Sequence, residues 1–78
     1  MVIKVLGTGC SKCKSLYANA LQAVKEMSIE AEVVKEEDMM KIMSYNVLQL
    51  PALVVDEKVV AKGTLSVNEV KNILQTIS

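Results

Sequence analysis

The sequence contains no histidine and no arginine, and these two absences exclude several classes of function. Without an imidazole, a Ser-His-Asp triad and most zinc sites are excluded, so acid–base chemistry would fall to Lys, Asp, Glu, Tyr or the thiols. The nine basic residues are all lysines and balance nine acidic residues, giving a formal net charge of zero. No basic surface for nucleic acid is therefore indicated.

Aromatic residues make up only 3% of the chain, and Trp and Phe are absent. The apolar fraction of 51% is supplied by aliphatic side chains and methionine, which suffice for a compact core. The chain has 78 residues and neither an internal repeat nor a low-complexity segment. These features predict a single domain over residues 1–78, near the lower size limit for a stable core. The strand and helix patterns described below make it an α/β domain.

The sequence also lacks the features that direct a protein to a membrane. No basic leader, signal-type apolar core or cleavage site precedes the first strand pattern, and no apolar run reaches membrane-spanning length. We therefore expect a cytoplasmic protein without a membrane partner. In that reducing compartment, a pair of cysteines is more often catalytic or metal-binding than structural.

Cys10 and Cys13 are the only cysteines, and they lie where a short apolar run changes to a helical pattern. At this spacing at a helix start, their Cβ atoms are about 5–6 Å apart, against about 3.5–4.5 Å in a disulfide. A small adjustment of the first residue would close that gap. A disulfide here would close too short a loop to stabilise the fold, so the spacing favours a redox pair over a structural bridge.

The helical pattern after the pair predicts different roles for the two thiols. Apolar residues recur every three or four positions from Cys13 through Leu16 and Ala20 to Met27, which places Cys13 on the core-facing stripe. Cys10 stands before the stripe at the helix opening. We therefore expect Cys10 to be the exposed thiol and Cys13 the shielded one.

The remaining patterns predict a second strand over 29–35, a short helix opened by the acidic residues 36–38, a hairpin over 51–61 and a final helix. Methionines at helical spacing in the short helix are interpreted as core residues. The hairpin turns at Asp56 and Glu57, and Ser66 with Glu69 forms the capping box of the last helix. The predicted order is βαβαββα.

This order, Cys10-Ser11-Lys12-Cys13 at the first strand-to-helix junction, and Pro51 at the start of the third strand together resemble the thioredoxin and glutaredoxin superfamily. The segments 6–13 and 50–56 are most similar to the small glutaredoxin-sized thioredoxins, or redox-active disulfide proteins, of archaea and bacteria. The resemblance covers the whole chain. It implies a thioredoxin-like fold with a mixed four-stranded sheet and helices on both faces.

The resemblance also implies the site. It makes Cys10 the nucleophile and Cys13 the resolving thiol, with Pro51 in a cis peptide bond beside the pair and the Leu50 backbone available to a bound partner. Without it, a trans proline at a strand start would be the simpler interpretation, since cis bonds are a small minority. The predicted substrate-binding surface also includes Gly9, which precedes the pair, and Ser11 and Lys12, which lie between the two cysteines.

The function that follows is thiol-disulfide oxidoreductase, with a disulfide cycle in place of a separate cofactor. Cys10 attacks a disulfide in a target protein, and Cys13 resolves the mixed disulfide. We expect a monomer that receives electrons from an upstream disulfide reductase. Leu50 replaces the smaller residue of many relatives, and Lys62-Gly63-Thr64 lacks the glutathione-binding double glycine of glutaredoxins, so protein disulfides rank above glutathione adducts.

Two other interpretations remain open from the sequence. Small copper-carrier domains also place Cys-x-x-Cys after a first strand, and thiolates suit Cu(I) or zinc. Their βαββαβ order differs from the one predicted here, and zinc would require ligands beyond two thiols. The second alternative is an interaction domain in which both cysteines are incidental core residues. We predict no metal ligands.

Overall fold

The computed structural model describes residues 1–8, 11–47 and 50–77. The predicted βαβαββα order is confirmed over these residues. The strands and helices, in chain order, are β1 (Val2–Leu6), α1 (Ser11–Met27), β2 (Glu32–Glu36), α2 (Met39–Ser44), β3 (Ala52–Val55), β4 (Lys58–Lys62) and α3 (Val67–Ile77).

The four strands form one mixed sheet in the order β2-β1-β3-β4. β1 is parallel to the edge strand β2 and antiparallel to β3, and β3 is antiparallel to β4. The carboxyl ends of β1 and β2 therefore meet the start of β3 at one edge of the sheet. We call this end of the strands the upper edge, and the chain leaves β1 there on its way to α1.

Helices cover both faces of the sheet. On one face, α1 and α3 bury their apolar stripes against Ile3, Val5 and Leu53 in the larger core cluster. On the other face, Ile42 of α2 packs with Leu6 and smaller side chains. The alternation of side chains along β1 assigns successive residues to the two clusters. The resemblance implied this two-faced arrangement, and the structure confirms it.

The methionines of α2 correct one expectation. We interpreted them as core residues, but Met39, Met40 and Met43 are 48%, 81% and 65% exposed, whereas Ile42 is 1% exposed. A helix of only six residues presents little more than one side chain to the sheet beneath it. Helical spacing alone was therefore not sufficient to place the methionines.

The boundaries around β2 also differ from the prediction. The strand begins at Glu32 rather than at Ile29, because Glu32 pairs with Val2, the first residue of β1. Ile29 and Ala31 pack against the larger cluster from the segment that precedes the strand. The strand continues through Glu36, which we assigned to the next helix. α2 is capped instead by Asp38, whose carboxylate accepts a 2.9 Å hydrogen bond from the Met40 amide. β2 lies at the edge of the sheet, beside β1.

The predicted turn and cap are confirmed. Asp56 and Glu57 have φ of 48° and 70°, so both residues of the two-residue turn between β3 and β4 adopt the left-handed conformation of a type I′ turn. At α3, the Ser66 and Glu69 side chains exchange two 3.2 Å hydrogen bonds with each other's backbone amides. These bonds satisfy two amides that the start of a helix would otherwise leave without a partner.

On the face of the sheet covered by α2, a polar cluster connects β1 with the hairpin turn. Lys4 Nζ donates to Tyr45 OH at 3.1 Å and to Glu57 Oε1 at 3.0 Å, while Tyr45 OH donates to Glu57 Oε2 at 2.9 Å. The hydrogen bond from Lys4, followed by that from Tyr45, lowers the pKa of Glu57 from its ordinary value of 4.5. The same bonds, with Tyr45 first, raise the pKa of Lys4.

We predict a pH-dependent stability difference between the wild type and Glu57→Gln. A carboxylate with a lowered pKa in the folded state stabilises that state above its unfolded pKa, and the contribution is lost as the pH falls through the folded pKa. The wild type should therefore be the more stable protein at neutral pH, and its advantage should disappear in acid. Denaturant midpoints measured across this range test it. With Lys4→Met and Tyr45→Phe already present, the same substitution should show little pH-dependent difference.

Candidate functional site

Cys13 lies in the first turn of α1, which begins at Ser11 and directly follows Cys10 in the chain. Its residue surface is only 6% exposed. The prediction that Cys13 is the shielded thiol is therefore confirmed. Cys10 and Gly9 lie outside the described residues, so the predicted exposure of Cys10 stays a prediction.

Gly7 lies directly against the Cys13 side chain. A Cβ atom built on Gly7 would lie 2.8 Å from the Cys13 Cβ and closer still to its Sγ. The Gly7 amide donates a 3.0 Å hydrogen bond to the Glu36 carbonyl, which anchors this backbone to the end of β2. Gly7 is buried and does not have a positive φ. The glycine is therefore required by the space that Cys13 occupies, not by backbone conformation.

Pro51 borders the same position. The Leu50–Pro51 peptide bond is cis, in agreement with what the resemblance implied. Because Leu6 pairs with Ala52, the register places Pro51 next to Gly7 at the upper edge. Pro51 is fully buried, and its carbonyl accepts a 2.7 Å hydrogen bond from the Gly63 amide. Cys13 and the cis proline thus both adjoin Gly7.

The other predicted contact residues occupy the same edge with different exposure. Ser11 and Lys12 are exposed in the first turn of α1. Leu50 is half-buried and packs against the smaller core cluster. The first turn of α1 contains no acidic residue and carries Lys12 and Lys14. The positive helix terminus and these lysines favour an anionic thiolate near this turn, although exposed charges are partly screened.

A small cavity of about 30 Å³ adjoins the buried thiol. This volume exceeds that needed for one water molecule. The residues lining the cavity are Val5, Gly7, Cys13, Lys14, Lys35 and Glu37. Lys35 of β2 and Glu37, which follows that strand, thus line the same cavity as Cys13.

Tyr17 links this cavity to β2. Its half-buried ring packs against the larger core cluster, and the Lys35 ammonium lies 4.6 Å from the ring centroid. This distance is within the range of a cation–π interaction. Tyr17 is therefore a residue of the core edge. It also places a cation one helical turn from Cys13.

Gly7, Lys35 and Glu37 were not identified from the sequence. Gly7 lay within segment 6–13, Lys35 ended the predicted second strand, and Glu37 was one of the acidic residues predicted to open the short helix. Their proximity to Cys13 depends on the pairing of Val5 with Lys35 between β1 and β2. This pairing is not local in the sequence. A glycine directly after a buried strand and facing a helix start was the one available signal.

The described residues contain no group of three or more His, Cys, Asp and Glu side chains that could hold a metal ion. The strands and helices follow the order βαβαββα, whereas the copper-carrier alternative would have the order βαββαβ. Within the described ranges, no helix is both long and apolar enough to cross a membrane. The arrangement at the upper edge is therefore best described by its thiol, its glycine and its cis proline.

Comparisons with known proteins agree with this geometry. Residues 1–75 match the Thioredoxin domain family. The chain is 39% identical over 77 residues to a thioredoxin of Methanocaldococcus jannaschii, covering 97% of this chain and 88% of that protein. It is 41% identical over 75 residues to a thioredoxin of Methanothermobacter thermautotrophicus, covering 95% and 97%.

Among solved structures, the fold is similar to that of thioredoxin 1 from the thermophilic eubacterium Thermosipho africanus. The TM-score is 0.67 at 23% sequence identity, and the match covers 99% of this chain and 93% of the other. This similarity supports the shared fold. The relationship in sequence rests on the two archaeal thioredoxins, which are 39% and 41% identical to this chain.

Proposed function

The chain belongs to the thioredoxin family of thiol-disulfide oxidoreductases, and from this premise we propose that it is a small dithiol carrier that reduces protein disulfides through Cys10 and Cys13. Members of this family react through their own disulfide and need no separate cofactor. The observation that carries the proposal is the burial of Cys13 against Gly7, beside the cis Pro51 and three residues after Cys10.

In the first step, the Cys10 thiolate attacks one sulfur of a target disulfide. A bond forms between Cys10 and that sulfur, the target S–S bond breaks, and the other target sulfur leaves as a thiolate. The start of α1 and the lysines of its first turn favour the anionic form of a thiol at this position. Cys10 therefore acts as the nucleophile.

In the second step, Cys13 loses its proton and attacks Cys10 in the mixed disulfide. The Cys10–Cys13 bond forms, and the second target sulfur leaves as a thiolate. Two electrons thus pass from the dithiol to the target. Since Cys13 follows Cys10 by only three residues in the chain, this step is unimolecular and needs no second encounter. Its burial keeps Cys13 away from competing disulfides before the mixed disulfide forms.

The target is proposed to lie along the upper edge, where the Leu50 backbone next to the cis proline offers strand-like contacts and Gly9, Ser11 and Lys12 border the thiols. We propose protein disulfides ahead of glutathione, since the chain lacks the double glycine noted above. The proposal further includes a single cytoplasmic domain over residues 1–78 that acts as a monomer with an upstream disulfide reductase.

Trapping the intermediate tests this proposal. Cys13→Ser retains the attacking thiol but cannot complete the second step, so it should accumulate a mixed disulfide with a disulfide-bonded model protein. The complex should be visible on a non-reducing gel and released by dithiothreitol. Cys10→Ser serves as the matched control and should form little complex, since its remaining thiol is buried. Complexes formed equally by both variants would contradict the assigned roles.

A further inference from the structure

The resolving step requires a thiolate at a buried position, and the structure contains a means of stabilising it. Burial in apolar surroundings disfavours the charged form of a thiol. Cys13 is 6% exposed, and Val5 of β1 and Gly7, which follows β1, line its cavity without contributing a charge. The charges that line the cavity come from Lys14 on α1 and from Lys35 and Glu37 on the β2 side.

Lys35 differs from the other two in being positioned by a second contact. Its ammonium lies 4.6 Å from the centroid of the Tyr17 ring, and Tyr17 follows Cys13 by four residues on α1. Side chains at this spacing are neighbours on one helical face. The opposite end of the Lys35 side chain is fixed by the pairing of its backbone with Val5 in the sheet. Lys35 is therefore held at its backbone by the sheet and at its ammonium by the Tyr17 ring, and it lines the cavity beside Cys13.

We propose that Lys35 is a positioning residue for the resolving step: held by the Tyr17 ring, its ammonium stabilises the Cys13 thiolate across the shared cavity. This inference rests on the proposed function, since it assigns Cys13 the resolving role. Glu37 acts in the opposite direction, because its carboxylate faces the same cavity. Lys14 lines the same cavity from α1 and, like Lys35, is exposed, so salt partly screens both charges.

The loss of the Cys13 proton in the resolving step determines which measured property Lys35 should change. Cys13–SH releases its proton to water at the cavity, and the resulting thiolate attacks Cys10 and expels the second thiolate of the partner. Lys35 takes no part in the proton transfer and supplies charge only. Its effect should therefore change the pH at which Cys13 becomes reactive, and not the attack by Cys10.

Reaction with an aromatic disulfide such as Ellman's reagent separates the two steps. The reduced protein should release one equivalent of coloured thiolate in a bimolecular phase, when Cys10 attacks, and a second in a concentration-independent phase, when Cys13 resolves. Lys35→Gln should slow the second phase about threefold near neutral pH, equivalent to moving its pH profile up by about half a unit. The first phase should be unchanged.

Matched variants distinguish charge from structure. Lys35→Arg should retain the wild-type pH profile, and Glu37→Gln should move it to lower pH. Lys25→Gln removes the same charge at the other end of α1, about 18 Å from Cys13 along the helix, where screening should leave both phases unchanged. Tyr17→Phe keeps the ring and should retain the profile, whereas Tyr17→Leu should move it toward that of Lys35→Gln.

The outcomes separate this inference from the proposed function. A second phase that is equally fast in Lys35→Gln and Lys25→Gln, or that slows without a change in its pH midpoint, would overturn the role of Lys35. A wild type without a second phase, or a first phase that persists in Cys10→Ser, would instead overturn the dithiol mechanism. High salt should reduce the difference between Lys35→Gln and the wild type if charge is the cause.

Discussion

Replacing Cys10 with serine should reduce turnover of a disulfide-bonded model protein by about two orders of magnitude or more, because a hydroxyl is not appreciably ionised near neutral pH and a thiolate is the attacking species. Cys13→Ser should also block the complete cycle, but it should still perform the first covalent step. Turnover is measured with dithiothreitol as the electron source, after subtraction of its uncatalysed reaction with the target.

The two cysteine variants act as controls for each other. Both replace one sulfur by oxygen, yet only Cys10→Ser should lose the rapid reaction with a small alkylating reagent, because Cys13 is buried. Similar denaturant midpoints would show that the loss of turnover comes from chemistry and not from unfolding. Retained turnover in Cys10→Ser, or preferential alkylation of Cys13 in the wild type, would reverse the proposed roles.

Gly7→Ala should have the second large effect, on both stability and the resolving step. The added methyl group would lie 2.8 Å from the Cys13 Cβ, and the Gly7 amide is fixed to β2. Overpacking of this kind costs about 1–3 kcal/mol of the free energy of unfolding. Since Cys13 must move to make room, we also expect the resolving phase to slow by about tenfold or more.

Gly63→Ala is the matched control for this substitution. Gly63 has a φ of 84°, so alanine is strained there, but no heavy atom lies within 4 Å of the added Cβ. Its cost should be about 1 kcal/mol in the free energy of unfolding, with no change in the resolving rate. Denaturant unfolding and the two-phase thiol assay are measured on both variants. Equal resolving rates in Gly7→Ala and the wild type would show that Gly7 does not position Cys13.

The features predicted correctly from the sequence are those encoded by local patterns. The stripe through Leu16 and Ala20 placed Cys13 on the buried face of α1, and the spacing of Ser66 and Glu69 defined the cap of α3. In each case the residues involved lie within a few turns of one helix, so periodicity and capping chemistry were sufficient. The cis bond before Pro51 came from the resemblance and not from the residues.

The predictions that were wrong, and the site residues that were not predicted, depend on contacts between segments that are distant in the sequence. Met40 fits a helical apolar pattern, but α2 has only six residues, and of these it is Ile42 that is buried against the sheet. Lys35 approaches Cys13 only because β2 pairs with β1, and Gly7 is required only because α1 packs against the end of β1. No local pattern records these distances. The structure was needed to add Gly7, Lys35 and Glu37 to the site.

The central claim is that Cys10 and Cys13 form one reversible redox pair, and equilibration with a defined ratio of reduced to oxidised dithiothreitol tests it most directly. Free thiols are counted after acid quenching, and the linked peptides are identified by mass. We expect both thiols to disappear together in a single two-electron transition, with a potential closer to about −270 mV than to about −120 mV. Two thiols that remain reactive across the whole range of ratios, or that oxidise only between molecules, would contradict it.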